Sequence, residues 1–180
     1  GIRYIGGHPM AGTERSGFEN SFGDLFAGAS MILCPEYCDD EKALKTVSDF
    51  FLEIGFGRIT LSSCAHHDEV IAFTSQLAHV VSSAYIHGRL STEYSGFSAG
   101  SFADMTRVAR LSADMWTELF FENGANLSDA IGELIDNLQK YKTALDTGDR
   151  AAMHTLLAEG NARKIESEKL STPKEGTKTC

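Results

Sequence analysis

Apolar positions follow two different patterns along the chain, and the change between them lies near residue 62. Ser30–Cys34 is a short apolar run stopped by Pro35, and Arg58–Leu61 is a second short β-prone run. Between them, apolar residues recur at helical spacing from Leu44 to Ile54. A strand, a helix and a strand in succession predict a parallel α/β sheet.

The ends of these first elements are also marked in the sequence. Asp39 or Asp40 can cap the helix, and Gly55 and Gly57 can end it. The chain opens on a β-prone run, Arg3–Ile5, which leads into two glycines and is not preceded by an initiator Met. We interpret this opening as a strand entered midway, and we expect the chain to be truncated there.

After residue 62 the pattern is helical throughout, with no further strand signal, and residues 173–180 form a polar tail. We therefore predict a mainly α chain, with an α/β part at 1–62 and a helical part at 63–172. The apolar stripes of these helices exceed what one small bundle can cover, which predicts a homodimer. The predicted helices are Asp68–Gly88, Phe102–Arg110, Ala113–Glu122, Leu127–Leu145 with Asn126 or Ser128 as its N-cap, and Asp149–Leu170.

Composition and charge exclude several classes of protein. The 180 residues are 42% hydrophobic and 23% charged, as in ordinary globular proteins, and no apolar run approaches the ~18 residues of a membrane span. The formal net charge of −9 argues against nucleic-acid binding, which needs clustered Lys and Arg. The four cysteines form no dense disulfide framework and no signal peptide is recognisable, so we expect a cytoplasmic protein.

His8 is the first candidate for chemistry. It stands in a glycine-rich segment, Gly6–Thr13, at the mouth of the first β-prone run. Open α/β sheets place ligand contacts at strand ends, and glycines allow close backbone approach. A turn histidine that hydrogen-bonds its own loop is the alternative.

Three polar residues align on one side of the predicted helix 68–88. Ser75 and His79 are four residues apart and share a face, and Asp68 lies two turns earlier. The opposite stripe is apolar, so these residues are candidates to line a pocket, although a solvated polar face is the commoner case. The sequence G-x-S-x-G is absent, which argues against a serine hydrolase.

Arg107 follows a glycine-rich break and can offer a planar guanidinium fork to a carboxylate. A salt bridge with Asp104, one turn earlier, is the commoner alternative. The single tryptophan, Trp116, we assign to the core.

A metal or a dinucleotide would need its own signature. Cys34-x-x-x-Cys38 and Cys64-x-His66-His67 contain zinc ligand types, but the spacing is not that of C-x-x-C knuckles. We therefore predict no metal site, and keep structural zinc as a minor alternative. G-x-G-x-x-G is absent, so the chain has no dinucleotide fingerprint.

Two N-terminal motifs resemble those of the prephenate and arogenate dehydrogenase family. Residues 7–14 read G-H-P-M-A-G-T-E, followed by Ser16-Gly17, and are similar to the family's G-H-P-M-A-G-[ST]-E. His67-Asp68 and residues 74–79, T-S-Q-L-A-H, resemble its H-D…S-H-L-P-H helix. Gln76 and Ala78 stand where the family often has His and Pro, so a role for position 76 is open.

A third motif follows in the family's order. Residues 101–109, S-F-A-D-M-T-R-V-A, with Met115-Trp116 and Asn123, resemble the family's G-F-x-D-x-T-R-I-A…M-W…N stretch. Three motifs in order are far more specific than any one of them, and the resemblance covers most of the chain.

The resemblance implies a remnant of an α/β nucleotide-binding domain followed by an all-helical substrate-binding and dimerisation domain. It implies NAD- or NADP-dependent oxidative decarboxylation of prephenate to 4-hydroxyphenylpyruvate in tyrosine biosynthesis. His8 matches the family's catalytic His, and Arg107 matches its carboxylate-binding Arg. Among the other matches, Ser75 and His79 correspond to residues that line the pocket, and Gly100 and Asp104 fall where the family's neighbouring subunit approaches the cleft.

Two alternatives to this interpretation remain. The first is an arogenate dehydrogenase, and the second is a catalytically silent dimerisation module in which His8 and Arg107 do not converge on one cleft. Because the family's glycine fingerprint is missing here, we expect this fragment alone to be inactive and to bind no NAD tightly. The choice between NAD and NADP, and sensitivity to tyrosine, are open.

Overall fold

Three short strands form one sheet in the first part of the chain. The computed structural model describes residues 3–13 and 17–171. Strands β1 (Gly6–Pro9), β2 (Ser30–Cys34) and β3 (Arg58–Leu61) lie in the order β1-β2-β3. Helix α1 (Glu41–Glu53) connects β2 to β3, which are parallel, whereas β1 pairs antiparallel with β2. The predicted parallel strand–helix–strand unit is confirmed.

The first strand begins three residues later than predicted. β1 starts at Gly6 and places His8 opposite Ile32 of β2, while Arg3–Ile5 lie outside the strand. Pairing with β2 decides the position, because cross-strand contacts outweigh the β propensity of single residues. His8 is therefore a residue within β1, and the prediction that placed it at the mouth of the strand, after Arg3–Ile5, was wrong.

Alternate residues of β2 form the centre of the core. Met31 and Leu33 are almost fully buried and pack with Phe56. Their other apolar contacts come from the strand flanks and from one face of α1, and include Phe26, Ala29, Leu44, Val47 and Phe51. Leu44, Val47 and Phe51 belong to the apolar stripe that the helical spacing predicts, whereas Phe50 and Ile54 of the same stripe are exposed.

Local backbone signals set the ends of α1. Asp40 is its N-cap and accepts a hydrogen bond from the Ala43 backbone N–H at 3.1 Å, so one of the two predicted caps is confirmed. After the helix, Gly55 has φ of +109°, a left-handed conformation that favours glycine. The turn that follows brings Gly57 so close to the Gly28 backbone that a Cβ there would lie 2.7 Å from the Gly28 carbonyl oxygen.

The segment predicted as one helix from 68 to 88 consists of three pieces. They are α2 (Cys64–Ile71), a π-helical turn (Ala72–Gln76) and α3 (Leu77–Ile86). Ser63 caps α2 by accepting from the His66 N–H at 3.1 Å, so the helix begins four residues earlier than predicted. A π turn holds more residues than an α turn, so the spacing from Asp68 to Ser75 is no longer two helical turns.

The remaining helices differ from the prediction mainly at their ends. Helix α4 stops at Thr106, so Arg107 follows the helix rather than lying within it. Helix α6 begins at Gly124, and neither Asn126 nor Ser128 caps it, because the Asn123 carbonyl already accepts from the Leu127 N–H at 3.1 Å. The remaining helices are α4 (Gly100–Thr106), α5 (Ala113–Glu122), α6 (Gly124–Asp146) and α7 (Arg150–Ser171).

The predicted fold class, a mainly helical chain with a small α/β part, is confirmed. Within the described residues no strand follows β3, and no helix is long and apolar enough to cross a membrane. The chain divides into two compact units, 1–130 and 131–180. The domain division at residue 62 stays a prediction, and the predicted tail, 173–180, lies outside the described residues.

Candidate active site

Strand β1 and helix α2 bring two histidine rings into contact. His8 Nδ1 lies 2.8 Å from His67 Nε2, and the ring centroids are 5.1 Å apart in an edge-on arrangement. His8 comes from the antiparallel edge strand, and His67 from the first turn of α2. The two residues are 59 positions apart in the sequence, so only the fold makes this pair.

His67 also contacts a carboxylate through its other ring nitrogen. Its Nδ1 lies 2.8 Å from Asp68 Oδ1, so Asp68, His67 and His8 form a hydrogen-bonded chain. The His67 side chain is 19% exposed and that of Asp68 is 53% exposed, so this series of hydrogen bonds runs from the surface at Asp68 to the partly buried His8. Sequence reasoning used His67-Asp68 as a motif but assigned His67 no role, because no local pattern indicates its partner.

The environment of His8 favours the neutral ring. Partial burial lowers the pKa of His8 below its ordinary value of 6.5, and the nearby His67 lowers it further. Desolvation disfavours the imidazolium form, and a like charge on a neighbouring ring would disfavour it too. At neutral pH, His8 therefore presents an uncharged ring with one unprotonated nitrogen, which is the form that accepts a proton.

The π turn carries Ser75 and gives Gln76 a structural role. Ser75 is half-buried, and Gln76 is 7% exposed. The Gln76 amide donates to the Leu119 carbonyl at 3.0 Å, and its oxygen accepts from Asn123 Nδ2 at 3.0 Å. Asn123 Nδ2 also donates to the Asp68 carbonyl at 2.8 Å, so this amide network fixes the turn that carries Asp68.

His79 lies in a second cluster, on α3. Its Nδ1 is 3.3 Å from the Val108 carbonyl oxygen, and its ring packs on Trp116 with centroids 4.0 Å apart. Trp116 is half-buried and lies outside the fully buried core, and its ring contacts His79 and Phe120. The prediction that assigned it to the core was wrong.

Arg107 is an exposed residue directly before Val108, so the contact between His79 and Val108 holds its backbone beside α3. Gly100 begins α4, and a Cβ at Gly100 would lie 3.6 Å from Asp104 Oδ2, at ordinary contact distance. The structure thus groups His8 with His67 and groups Arg107's segment with His79. A common cleft for His8 and Arg107 stays a prediction.

Cys34 and Cys64 lie close to each other and to Glu36. Within the described residues, no group of three or more His, Cys, Asp or Glu side chains could hold a metal ion. A hydrogen bond with Glu36, desolvation and the neighbouring Cys34 raise the pKa of the Cys64 thiol to about 11.

Two family models match the chain in succession. Residues 1–61 match the nucleotide-binding domain of prephenate dehydrogenase, and residues 63–159 match its dimerization domain. Together these matches cover both the sheet and most of the helical part.

Individual relatives agree with these matches. A cyclohexadienyl dehydrogenase from Zymomonas mobilis is 38% identical over 149 residues, which are 79% of this chain and 50% of that protein. The crystal structure of Synechocystis arogenate dehydrogenase superposes with a TM-score of 0.76 at 26% identity, over 91% of this chain and 61% of that one.

A third relative was solved with bound ligands. Aquifex aeolicus prephenate dehydrogenase in complex with hydroxyphenyl propionate and NAD+ superposes with a TM-score of 0.76 at 31% identity, over 93% of this chain and 59% of that one. The chain spans about half the length of the curated relatives it matches. With family models matching nearly all of its length in order, the chain belongs to the prephenate dehydrogenase family.

Proposed function

We propose that the chain forms the catalytic-base and substrate-binding part of an NAD(P)-dependent prephenate dehydrogenase. The observation that carries this proposal is His8, a partly buried histidine with a lowered pKa and one ring nitrogen held by His67. The substrate's hydroxyl needs a neutral acceptor of this kind, because hydride leaves the carbinol carbon more easily as the hydroxyl loses its proton.

The overall reaction fixes what His8 does with the proton. Prephenate gives up a hydride to NAD(P)+ and its ring carboxylate as CO2, and the ring becomes the phenol of 4-hydroxyphenylpyruvate. The product keeps a hydroxyl at the reacting carbon, so His8 accepts the hydroxyl proton as the hydride leaves and returns it to the same oxygen. No net proton leaves the site.

The turn between β2 and α1 does not fit the pyrophosphate of a dinucleotide. In such folds the turn between a strand and the following helix is glycine-rich and binds phosphate at the helix N-terminus. Here the turn between β2 and α1, residues 35–40, has no glycine and carries Glu36, Asp39 and Asp40. We therefore assign the cofactor to residues that the longer relatives carry, and we call such a protein, including this chain, the complete enzyme.

Arg107 is the proposed ligand of a substrate carboxylate, with Ser75 and His79 beside it. The protein's net charge of −9 repels a dianionic substrate, so a local cation is required. Arg107 has an exposed side chain, and its backbone is held close to His79 through Val108. Gly100 and Asp104, on α4, are proposed to approach the cleft of the neighbouring subunit.

Dimerisation is part of the proposed function. Residues 63–159 match the family's dimerization domain. In the second compact unit, large apolar side chains on α6 and α7 are exposed, among them Ile135, Leu138, Leu145 and Leu157. Apolar surface of this kind supports a homodimer through the helical part.

The test is turnover by the complete enzyme. Prephenate with NAD+ or NADP+ should yield reduced cofactor and 4-hydroxyphenylpyruvate in equal amounts. Similarity to a Synechocystis arogenate dehydrogenase makes arogenate the second candidate substrate, so kcat/KM should be compared for the two. Lack of turnover with either substrate, in a protein that binds the cofactor, would favour the silent dimerisation module.

A further inference from the structure

We propose that His67 and Asp68 are a positioning pair that fixes the tautomer of His8 and leaves its Nε2 free to act as the base. The inference rests on the proposed function, since it assigns a base to that reaction. It adds two residues to the site and names the ring nitrogen that reacts.

The direction of the hydrogen bonds follows from the carboxylate once His67 carries a single ring proton, which is the state that the proposal assigns to it. An ionised carboxylate only accepts, so in the contact at 2.8 Å the His67 Nδ1–H donates to Asp68 Oδ1. A neutral His67 then has an unprotonated Nε2. That nitrogen can only accept, so in the second contact at 2.8 Å the His8 Nδ1–H donates to His67 Nε2.

The consequence for His8 is a single reactive nitrogen. With its one proton on Nδ1, neutral His8 carries its lone pair on Nε2, and that atom accepts the substrate's hydroxyl proton. When His8 returns the proton to the oxygen, the Nδ1–H bond to His67 is still in place. The pair therefore keeps the same tautomer through the whole turnover.

The surrounding structure holds the pair in position. Ser63 caps the first turn of α2, and Asn123 binds the Asp68 carbonyl at 2.8 Å. The neighbouring residues His66 and Glu69 face each other at 3.4 Å on the exposed side of the helix. His66 and Glu69 are again a histidine and a carboxylate, but they are not part of the hydrogen-bonded series Asp68, His67 and His8. They therefore provide matched controls.

Ring-nitrogen NMR on the 180-residue chain tests the tautomer without any activity. In 15N-labelled chain at neutral pH, the His8 signals, assigned by their loss in His8→Asn, should report a protonated Nδ1 and an unprotonated Nε2. In His67→Leu this preference should be lost. In His67→Gln it should persist, because the amide oxygen can accept from the His8 Nδ1–H, and in the control His66→Leu it should not change.

The same variants separate this inference from the proposed function when they are assayed in the complete enzyme. His67→Leu should lower kcat by about 10- to 100-fold with little change in KM, as is typical when the residue that orients a functional histidine is lost. His67→Gln should recover part of the loss, and His66→Leu should behave as wild type. Asp68→Asn should lower kcat more than the control Glu69→Gln.

An Nε2–H tautomer in wild-type His8, or a tautomer that His67→Leu leaves unchanged, would overturn the inference. Circular dichroism would show whether His67→Leu unfolds the chain. In that case the inference is tested by the tautomer of His8 in the wild type and by the ring-nitrogen NMR spectrum of Asp68→Asn. If the complete enzyme is inactive although the tautomer is as expected, the proposed function fails and the assignment of the pair stands.

Discussion

At the residue scale, the site depends on the protonation of His8. Its ring is partly buried against His67, and both desolvation and that neighbour keep its pKa below the ordinary value. In the proposed reaction neutral His8 is the proton acceptor, and neutral His8 is the form that the fold favours. The sign of the pH dependence follows from this depressed pKa.

His8→Asn in the complete enzyme should lower kcat by about 10²–10⁴-fold, the usual contribution of a positioned acid–base group, with a much smaller effect on KM. In the wild type, kcat should rise with pH through a limb centred below ~6.5, because the depressed pKa keeps His8 neutral to lower pH. Profiles at saturating prephenate measure this limb, which should vanish in the variant. Wild-type kcat with the limb intact would make His8 a structural residue.

Arg107 should act on substrate capture rather than on the chemical step. Arg107→Ala leaves a substrate carboxylate without its cation, and kcat/KM should fall by the equivalent of about 2–5 kcal/mol, mainly through KM. Arg110→Ala, three residues along on an exposed position, is the control and should leave both constants unchanged. Wild-type kinetics in Arg107→Ala would show that Arg107 has only a structural role.

At the element scale, the π turn between α2 and α3 links this part of the chain to α5. It carries Ser75, and its last residue, Gln76, reaches the end of α5. Leu119 has one of the last four carbonyls of α5, which lack partners within the helix, so the Gln76 amide satisfies it. The same amide network reaches the Asp68 carbonyl through Asn123.

Gln76→Leu should therefore destabilise the chain. The change leaves the Leu119 carbonyl without its amide donor, and such an unsatisfied group costs about 1–3 kcal/mol when buried. The free energy of unfolding in urea measures the loss. Gln139→Leu, the same change at an exposed position on α6, should alter it by less than about 0.5 kcal/mol. Equal effects of the two substitutions would contradict the structural role of Gln76.

At the scale of the whole molecule, the chain carries more apolar surface than one copy covers. The exposed side chains of α6 and α7 lie in the second compact unit, and the family model for this part of the chain is a dimerization domain. Helical interfaces of permanent dimers usually bury more than about 2,000 Å² in total. We therefore propose a second copy of the chain as the partner for this surface.

The chain should sediment as a dimer at micromolar concentration. Leu145→Lys places a charge on the most exposed of the large apolar side chains of α6, at 72% exposure, and should weaken the dimer by at least about tenfold because the charge would have to be desolvated. Glu166→Lys, at an exposed polar position of α7, is the control and should leave the dimer intact. Sedimentation of the wild type as monomer alone would contradict dimerisation.

Much of the fold could be predicted because its signals are local. Apolar spacing placed β2, α1, β3 and α5, and Asp40 was one of two predicted caps. The wrong predictions concern element boundaries that depend on contacts between residues far apart in the sequence. Because β1 pairs with β2, it includes His8 and begins later than predicted. The π turn divides a segment that the apolar spacing predicted as one helix.

The sequence by itself determined the order of elements, the candidate residues and the family, because periodicity, capping residues and motifs are read within a few neighbours. Only the tertiary structure decided that His67 holds His8, that Gln76 satisfies Leu119 and that His79 packs on Trp116. Each of these contacts joins residues from different elements, so it depends on strand pairing and helix packing. A hydrogen bond between two rings 59 positions apart has no local signal, and it exists only once β1 and α2 are folded together.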